Sequence, residues 1–182
     1  MTFSRSLSFA LLAFGILVMP GCNRSRVRKK EIKSEVEKQR EEAAKRIDNF
    51  VYDGPIFLGK KSISEIRKLG KLKNESVNYE DNPYVDGEKL EFRTLEFDGL
   101  TLSGIVNDGI FSAISISVTS PQWQIQFGLN VGTPASRVPS ALGQPPRPMK
   151  GPVESFSGET ESVDFTVNAG KITKIEFSYY FD

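Results

Sequence analysis

Short stretches of the chain alternate apolar and polar residues, and this period of two predicts β-strands. Two such stretches, TLSGIV and FSAISISV, flank the turn signal Asn107-Asp108-Gly109. Two others, SVDFTV and KITKIEF, flank Asn168-Ala169-Gly170 in the last part of the sequence. Glycine at the third position of each signal suits a tight turn that needs a positive φ. The pattern therefore predicts two β-hairpins of similar design.

The two hairpin segments also match each other in sequence. VNDGIFSAISI at 106–116 aligns with VNAGKITKIEF at 167–177, which is an offset of 61 residues. A second match, at an offset of 73, aligns GKKSISEIRKLG at 59–70 with GTPASRVPSALG at 132–143. Because the two matches occur in the same order, they predict a tandem repeat.

The repeat predicts an α+β fold of two tandem units, residues 51–121 and 122–182, each with one short helix and an antiparallel sheet. Each unit is too small to bury a core alone, so we expect the sheets to join or to face each other, with the helices on one side. The first copy carries twelve extra residues, and they fall in the polar stretch 74–90. This stretch is typical of a long loop.

Two further patterns refine these units. Residues 123–129 alternate without a break and predict a strand that leads into the second helix. The second helix contains Pro139, which lacks a backbone N–H and is expected to kink or shorten it. The first helix has no such interruption.

A helical period appears before the first unit. Ile32, Val36, Ala43, Ile47 and Phe50 are spaced by 4, 7, 4 and 3 residues, which predicts a helix over residues 27–49 with one narrow apolar stripe. Residues 23–50 hold ten Lys or Arg and six Asp or Glu, a net charge of +4. This composition favours a charged helical spacer, with a short coiled coil as the alternative.

The first residues have the layout of an export signal. A single basic residue, Arg5, precedes an apolar run at 9–18, and Gly21 and Cys22 follow. A run this short is typical of a secretory signal peptide rather than a membrane span. The segment resembles a bacterial lipoprotein signal, which implies a signal peptide at 1–21 that is cut after Gly21. The alternative is an ordinary signal peptide with an incidental cysteine.

On the lipoprotein resemblance, Cys22 becomes the acylated N-terminus of a mature chain whose residues 22–50 form the spacer. Two or more acyl chains anchor a protein stably in a membrane. Asn23 stands where an Asp commonly retains Gram-negative lipoproteins in the inner membrane. The resemblance therefore implies an outer-membrane lipoprotein that faces the periplasm, if the source is Gram-negative.

The repeated helix motif, G-x-T/S-x₃-V/I-x₃-L-G with a following Pro, resembles the SmpA/OmlA lipoproteins and the β-lactamase-inhibitor-protein-like fold. The second copy keeps the motif at Gly132, Thr133, Val138, Leu142, Gly143 and Pro145. The first copy keeps Gly59, Leu69 and Gly70. Members of this fold generally bind other proteins and do no chemistry, so the resemblance implies a binding protein.

The chain offers little to a catalytic mechanism. It has no His and a single Cys, so the commonest general base is absent. Two carboxylate groups, Glu80 with Asp81 and Glu159 with Glu161, could bind a cation or act as a glycosidase-like pair, and the alternative is solvated loops. Residues 51–182 carry a net charge of −4, which argues against binding to nucleic acid. No cofactor or metal is predicted.

Aromatic residues are the more suggestive feature, with 13 Phe and 5 Tyr. In the last predicted strand, Tyr180 and Tyr179 lie on opposite faces, and the other aromatic residues of the strand share the face of Tyr179. Tyr180, Phe111 and Phe156 therefore form a candidate protein-binding surface. The alternative is that both faces of the sheet are covered.

These observations predict a membrane-anchored, non-enzymatic envelope lipoprotein that binds membrane lipid through Cys22 and an unidentified protein through its α+β domain. An accessory role in envelope or outer-membrane assembly is one specific form of this prediction. An inhibitor of a secreted or periplasmic enzyme is an alternative, and a hydrolase that uses a carboxylate pair is another.

Overall fold

The computed structural model describes residues 22–59, 61–158 and 161–180. The predicted signal peptide, with Gly21, lies outside the described residues, as does Glu159. Contacts divide the chain into Met1–Glu37 and Lys38–Asp182. The helices are α1 (Cys22–Asp53), α2 (Ile63–Ile66) and α3 (Arg137–Ala141). The strands are β1 (Lys61–Ser62), β2 (Asn74–Asp81), β3 (Lys89–Phe97), β4 (Leu100–Asn107), β5 (Ile110–Val118), β6 (Val153–Ser157), β7 (Ser162–Asn168) and β8 (Lys171–Ser178).

The strands form one antiparallel sheet with the order β2-β3-β4-β5-β8-β7-β6, and β1 pairs with β5 beside this path. The α+β class is therefore confirmed, and the strands of both chain halves lie in a single sheet. Both predicted hairpins are present as β4–β5 and β7–β8. Asp108 and Gly109 turn the first with φ of 50° and 76°, and Ala169 and Gly170 turn the second with 48° and 74°. Two successive positive φ values are typical of the two-residue turn that matches strand twist.

Strands β5 and β8 join the two halves of the sheet. Ile116 pairs with Phe177, and the pairs around it are Ser115 with Ser178 and Ser117 with Glu176. Both members of the central pair are buried, so the junction lies over the core.

Most buried strand residues alternate and lie on one face of the sheet, while Ile105 of β4 is buried on the other face. The first face carries Leu95, Phe97, Leu100, Leu102, Phe111, Ile116, Val118, Phe156, Val163, Phe165, Ile175 and Phe177. The connection between β5 and β6 packs against them through Trp123, Ile125, Leu129, Val138 and Leu142. Burial of apolar surface between these layers is the main source of stability.

The predicted helix of residues 27–49 is confirmed, and it is longer than predicted. Within Lys38–Asp182, its residues Ile47, Phe50 and Val51 belong to the hydrophobic core. The helix ends where the Gly54 N–H bonds to the carbonyl oxygen of Phe50 at 2.8 Å. The predicted boundary between a spacer and a domain at residue 50 therefore passes through buried residues.

The prediction of a long loop at 74–90 is wrong. Residues 74–81 form β2, which pairs with β3 over eight consecutive positions, from Asn74–Glu96 to Asp81–Lys89. The strand is polar because it lies at the edge of the sheet with most side chains in solvent. Main-chain hydrogen bonds hold it, and these do not depend on side-chain polarity.

The strand predicted at 123–129 is absent from the described structure. Ile125 makes only an isolated bridge with Pro55, and residues 126–128 form a short 3₁₀ turn. Phe127 in this turn has a φ of 57°, which breaks an extended chain. The alternation of the sequence reflects burial, since Trp123, Ile125 and Leu129 point into the core.

Helix α3 has five residues, in line with the expectation that Pro139 shortens it, whereas the alternative of a kink is not what the structure has. Helix α3 begins at Arg137, so Pro139 is its third residue, where no N–H partner exists within the helix. The segment is a short helix from the start, and the proline causes no kink.

Candidate functional site

Two of the three aromatic residues predicted at an outward surface are buried. Phe111 is 4% exposed and Phe156 is 3% exposed, because both face the covered side of the sheet. The Phe156 ring meets Phe165 edge-on at 5.9 Å between centroids. Tyr180 is 65% exposed. The structure therefore does not bring the three residues together, and the surface stays a prediction for Tyr180 alone.

Of the two predicted carboxylate pairs, the structure describes Glu80 with Asp81 and only Glu161 of the second pair. Glu80 and Asp81 are neighbours on β2, so their side chains point to opposite faces, and Asp81 lies 3.2 Å from the Lys89 Nζ. Glu161 is buried and accepts a hydrogen bond of 2.5 Å from the Tyr52 hydroxyl. In the described part of the chain, no group of three or more His, Cys, Asp or Glu side chains is placed to hold a metal ion.

A different surface stands out at the free edge of the sheet. We call residues 74–93, which include β2, the following turn and the start of β3, the acidic hairpin. The hairpin exposes the apolar side chains Val77, Tyr79, Tyr84 and Val85. It contains six acidic and two basic residues, so its net charge of −4 equals that of residues 51–182 together.

An ion-pair network fixes the base of the acidic hairpin. The Arg93 guanidinium donates to the carboxylates of Glu75 and Glu91 on the neighbouring strand and on its own strand. Arg67, at the end of α2, donates two hydrogen bonds to Glu75, at 2.9 and 2.8 Å. Hydrogen bonds from Arg67 first, and then from Arg93, lower the pKa of the Glu75 carboxyl, while burial opposes them. Glu75 is therefore ionised at neutral pH, and the network joins the hairpin to α2.

The turn of the acidic hairpin is ordered by its own polar groups. The Tyr84 N–H bonds to the Asn82 side-chain oxygen at 2.9 Å, and the Asn82 N–H bonds to the Glu88 carbonyl oxygen, also at 2.9 Å. These contacts hold Tyr84 in solvent at the tip of the hairpin. The hairpin therefore presents a structured surface that is both apolar and acidic.

The sequence contained a signal for this site. Val77 and Tyr79 are two positions apart, which is the spacing of one strand face. The acidic and amide residues around them hid the pattern, since a polar stretch of this length is typical of a loop.

No family model, no curated protein and no solved structure matches this chain. Among the described residues, no helix is both long and apolar enough to cross a membrane.

Proposed function

We propose that this chain is an envelope lipoprotein, acylated at Cys22, which binds another protein through the acidic hairpin and does no chemistry itself. An accessory role in envelope or outer-membrane assembly fits this arrangement. Under this proposal the basic residues that follow Cys22 lie beside the membrane, and the outer membrane is its location in a Gram-negative source. The exposed apolar and acidic surface of the hairpin is the observation that carries the proposal.

The acidic hairpin has three properties that suit protein recognition. It ends the sheet, so within the described structure β2 presents backbone N–H and C=O groups on its outer side that no strand pairs with. Tyr79 and Tyr84 offer large apolar surface with few rotatable bonds, a property that is common in interfaces. The surplus of acidic groups favours a partner with a basic surface, because complementary charge speeds and orients association.

We also propose that the two halves of the chain are tandem units of one repeat, similar in design to the SmpA/OmlA and β-lactamase-inhibitor-protein-like proteins. The pairing of β5 with β8 supports this. Ile116 pairs with Phe177, which is its aligned residue at the offset of 61, and the flanking pairs are symmetric about this pair. Two equivalent strands that pair in this way are related by a local two-fold axis.

The anchor is tested by replacing the acylated residue. Cys22→Ser should leave either an uncut protein or a protein without acyl chains, and the latter should be released from membranes by salt. Mass spectrometry of the mature wild-type chain should show acyl mass on Cys22. An unmodified mature chain with a different first residue would refute acylation at Cys22, and it would have no bearing on protein binding by the acidic hairpin.

The partner is tested by placing a photo-crosslinker in the intact lipoprotein in its native envelope. A crosslinker at Tyr84 should trap one protein, whereas one at Val153, which is exposed on β6 at the opposite edge, should not. Tyr79→Ser should weaken the Tyr84 product while leaving thermal stability unchanged. Equal products at both edges, or none, would contradict the proposal. A trapped soluble enzyme whose activity falls on titration would favour the inhibitor alternative.

A further inference from the structure

A cleft lies between α1 and the connection that leads to α3, far along the chain from the acidic hairpin. Its volume is about 510 Å³. Its lining residues are Arg46, Phe127, Ser136, Arg137, Ser140 and Ala141. We call it the arginine cleft, since two arginines and, among the described residues, no acidic side chain line it.

The aromatic wall of the cleft is held in an unusual conformation. Phe127 has a φ of 57° and a ψ of 12°, which is a costly region for a bulky side chain. Its ring stacks on the buried Phe50 at 5.6 Å between centroids and remains 39% exposed. The Arg46 Cζ lies over the ring at 5.3 Å from its centroid. The strained turn therefore places an aromatic face and a guanidinium together at the mouth of the cleft.

Among the residues that the structure describes, no carboxylate pairs with the two arginines of the cleft. Between residues 61 and 158, the other described arginines, Arg67, Arg93 and Arg147, each bond to a carboxylate. Arg137 bonds to none within the described residues, and neither does Arg46, whose Cζ lies over the Phe127 ring. Two guanidiniums that share a concave surface without a carboxylate are an anion site in electrostatic terms.

The hydroxyl groups complete a set of donors. Ser136 and Ser140 are four residues apart, so they lie on the same side of the helical segment that carries Arg137 between them. Within the described part of the chain, neither the Ser136 nor the Ser140 hydroxyl makes a hydrogen bond. Guanidinium forks match the geometry of a carboxylate or phosphate, and hydroxyls add neutral donors.

We propose that the arginine cleft binds a ligand with an oxyanion group, a carboxylate or a phosphate, attached to an apolar or aromatic group that packs on Phe127. The oxyanion lies between the guanidiniums of Arg46 and Arg137. The site is independent of the acidic hairpin, and its failure would leave the proposed function untouched.

The test is a calorimetric titration of the intact mature protein with phenyl phosphate, with benzoate and with inorganic phosphate. The first two probes share a ring and differ in the oxyanion, so they distinguish phosphate from carboxylate. We expect saturable binding of at least one of them, with a dissociation constant on the order of 1 mM, as suits a ligand of this size. Inorganic phosphate, which lacks the ring, should bind more weakly.

Matched variants locate the site. Arg46→Gln and Arg137→Gln should each weaken the bound probe at least tenfold, and the double variant should abolish binding. Arg40→Gln, which changes an exposed arginine of α1 outside the cleft, should bind like the wild type. Phe127→Leu should weaken the aromatic probe but not inorganic phosphate. Thermal unfolding of each variant checks the fold. No saturation by either aromatic probe, or unchanged binding in a folded double variant, would overturn the proposal.

Discussion

Gly104 occupies a position in β4 where another chain segment comes too close for a side chain. A Cβ at this position would overlap the carbonyl oxygen of Ser112 and lie 2.7 Å from the Phe111 ring. The register of β4 and β5 shifts at this residue, which tightens the approach. Glycine is therefore required here by space rather than by φ.

Gly104→Ala should lower the free energy of unfolding by about 3 kcal/mol, because the backbone of β5 must move to admit the methyl group. Gly151→Ala is the matched control, since the nearest atom to its Cβ is 3.7 Å away, and it should change stability by less than about 0.5 kcal/mol. Urea denaturation measures both. Similar midpoints for the two variants would show that the strands separate easily.

Pro139 gives a second prediction at the scale of a single residue. It lies buried in the first turn of α3, where its ring packs and its missing N–H has no cost. Pro139→Ala removes buried ring atoms and loosens the unfolded chain, so it should lower stability by about 1–2 kcal/mol. A denaturation midpoint above that of the wild type would mean that the proline strains the helix after all.

Among the elements, β6 depends on a partly buried ion pair. Glu154 is 8% exposed and accepts hydrogen bonds from the Arg147 guanidinium and from the Lys150 N–H. The Arg147 hydrogen bond is the main reason that the pKa of Glu154 lies below its ordinary value. Because the folded pKa is lowered, the carboxylate stabilises the fold above the ordinary value of about 4.3, and this contribution disappears as pH falls through the folded pKa.

Glu154→Gln should therefore lower the free energy of unfolding at pH 7 by about 1–2 kcal/mol. This figure is kept small because Arg147 is partly exposed and solvent screens its charge. The variant should also lose less stability than the wild type as pH is lowered below about 4.3. Glu176→Gln is the control, since its pair with Lys174 is exposed and worth little. Thermal unfolding between pH 3 and pH 7 compares the three proteins, and parallel pH curves for wild type and Glu154→Gln would contradict the assignment.

The elements that could be predicted are those whose causes are local. Asp108-Gly109 and Ala169-Gly170 determine their turns within a few residues, so both hairpins follow from the sequence. Helix α2 has a local cause as well, because Ser62 and Glu65 form a capping box. Strand β2 was missed, since it is held by main-chain pairing to β3 and its weak alternation at Val77 and Tyr79 lies among polar residues. The acidic hairpin was missed for the same reason.

The fold of the whole molecule depends on α1 more than the sequence pattern indicated. Phe50 is fully buried and packs against Phe127, Phe165 and Phe177, with ring centroids 5.6 to 6.0 Å apart. The apolar stripe of α1 predicted a helix but could not show what the stripe contacts. The partners of Phe50 come from positions more than seventy residues away, and only the three-dimensional structure brings them together.

Two truncations test this dependence. A chain that begins at Lys38 should unfold cooperatively at nearly the temperature of the mature protein, because it keeps the buried part of α1. A chain that begins at Val51 lacks Ile47 and Phe50 and should lose at least about 3–5 kcal/mol, which is the usual cost of removing one large core residue. Circular dichroism follows both transitions. Equal melting temperatures would mean that these two side chains contribute little to the core.

The place of β5 in the sheet has a consequence for the unfinished chain during synthesis. IFSAISISV carries no charge over nine residues, and one side of its residues 115–118 pairs only with β8. Strand β8 starts 53 residues after β5 ends, which corresponds to about 3–10 s of synthesis at usual rates. During that interval the new chain presents an uncharged strand edge, which pairs readily with the same strand of another unfinished chain. The half-made chain, rather than the finished protein, is therefore the state most prone to aggregate.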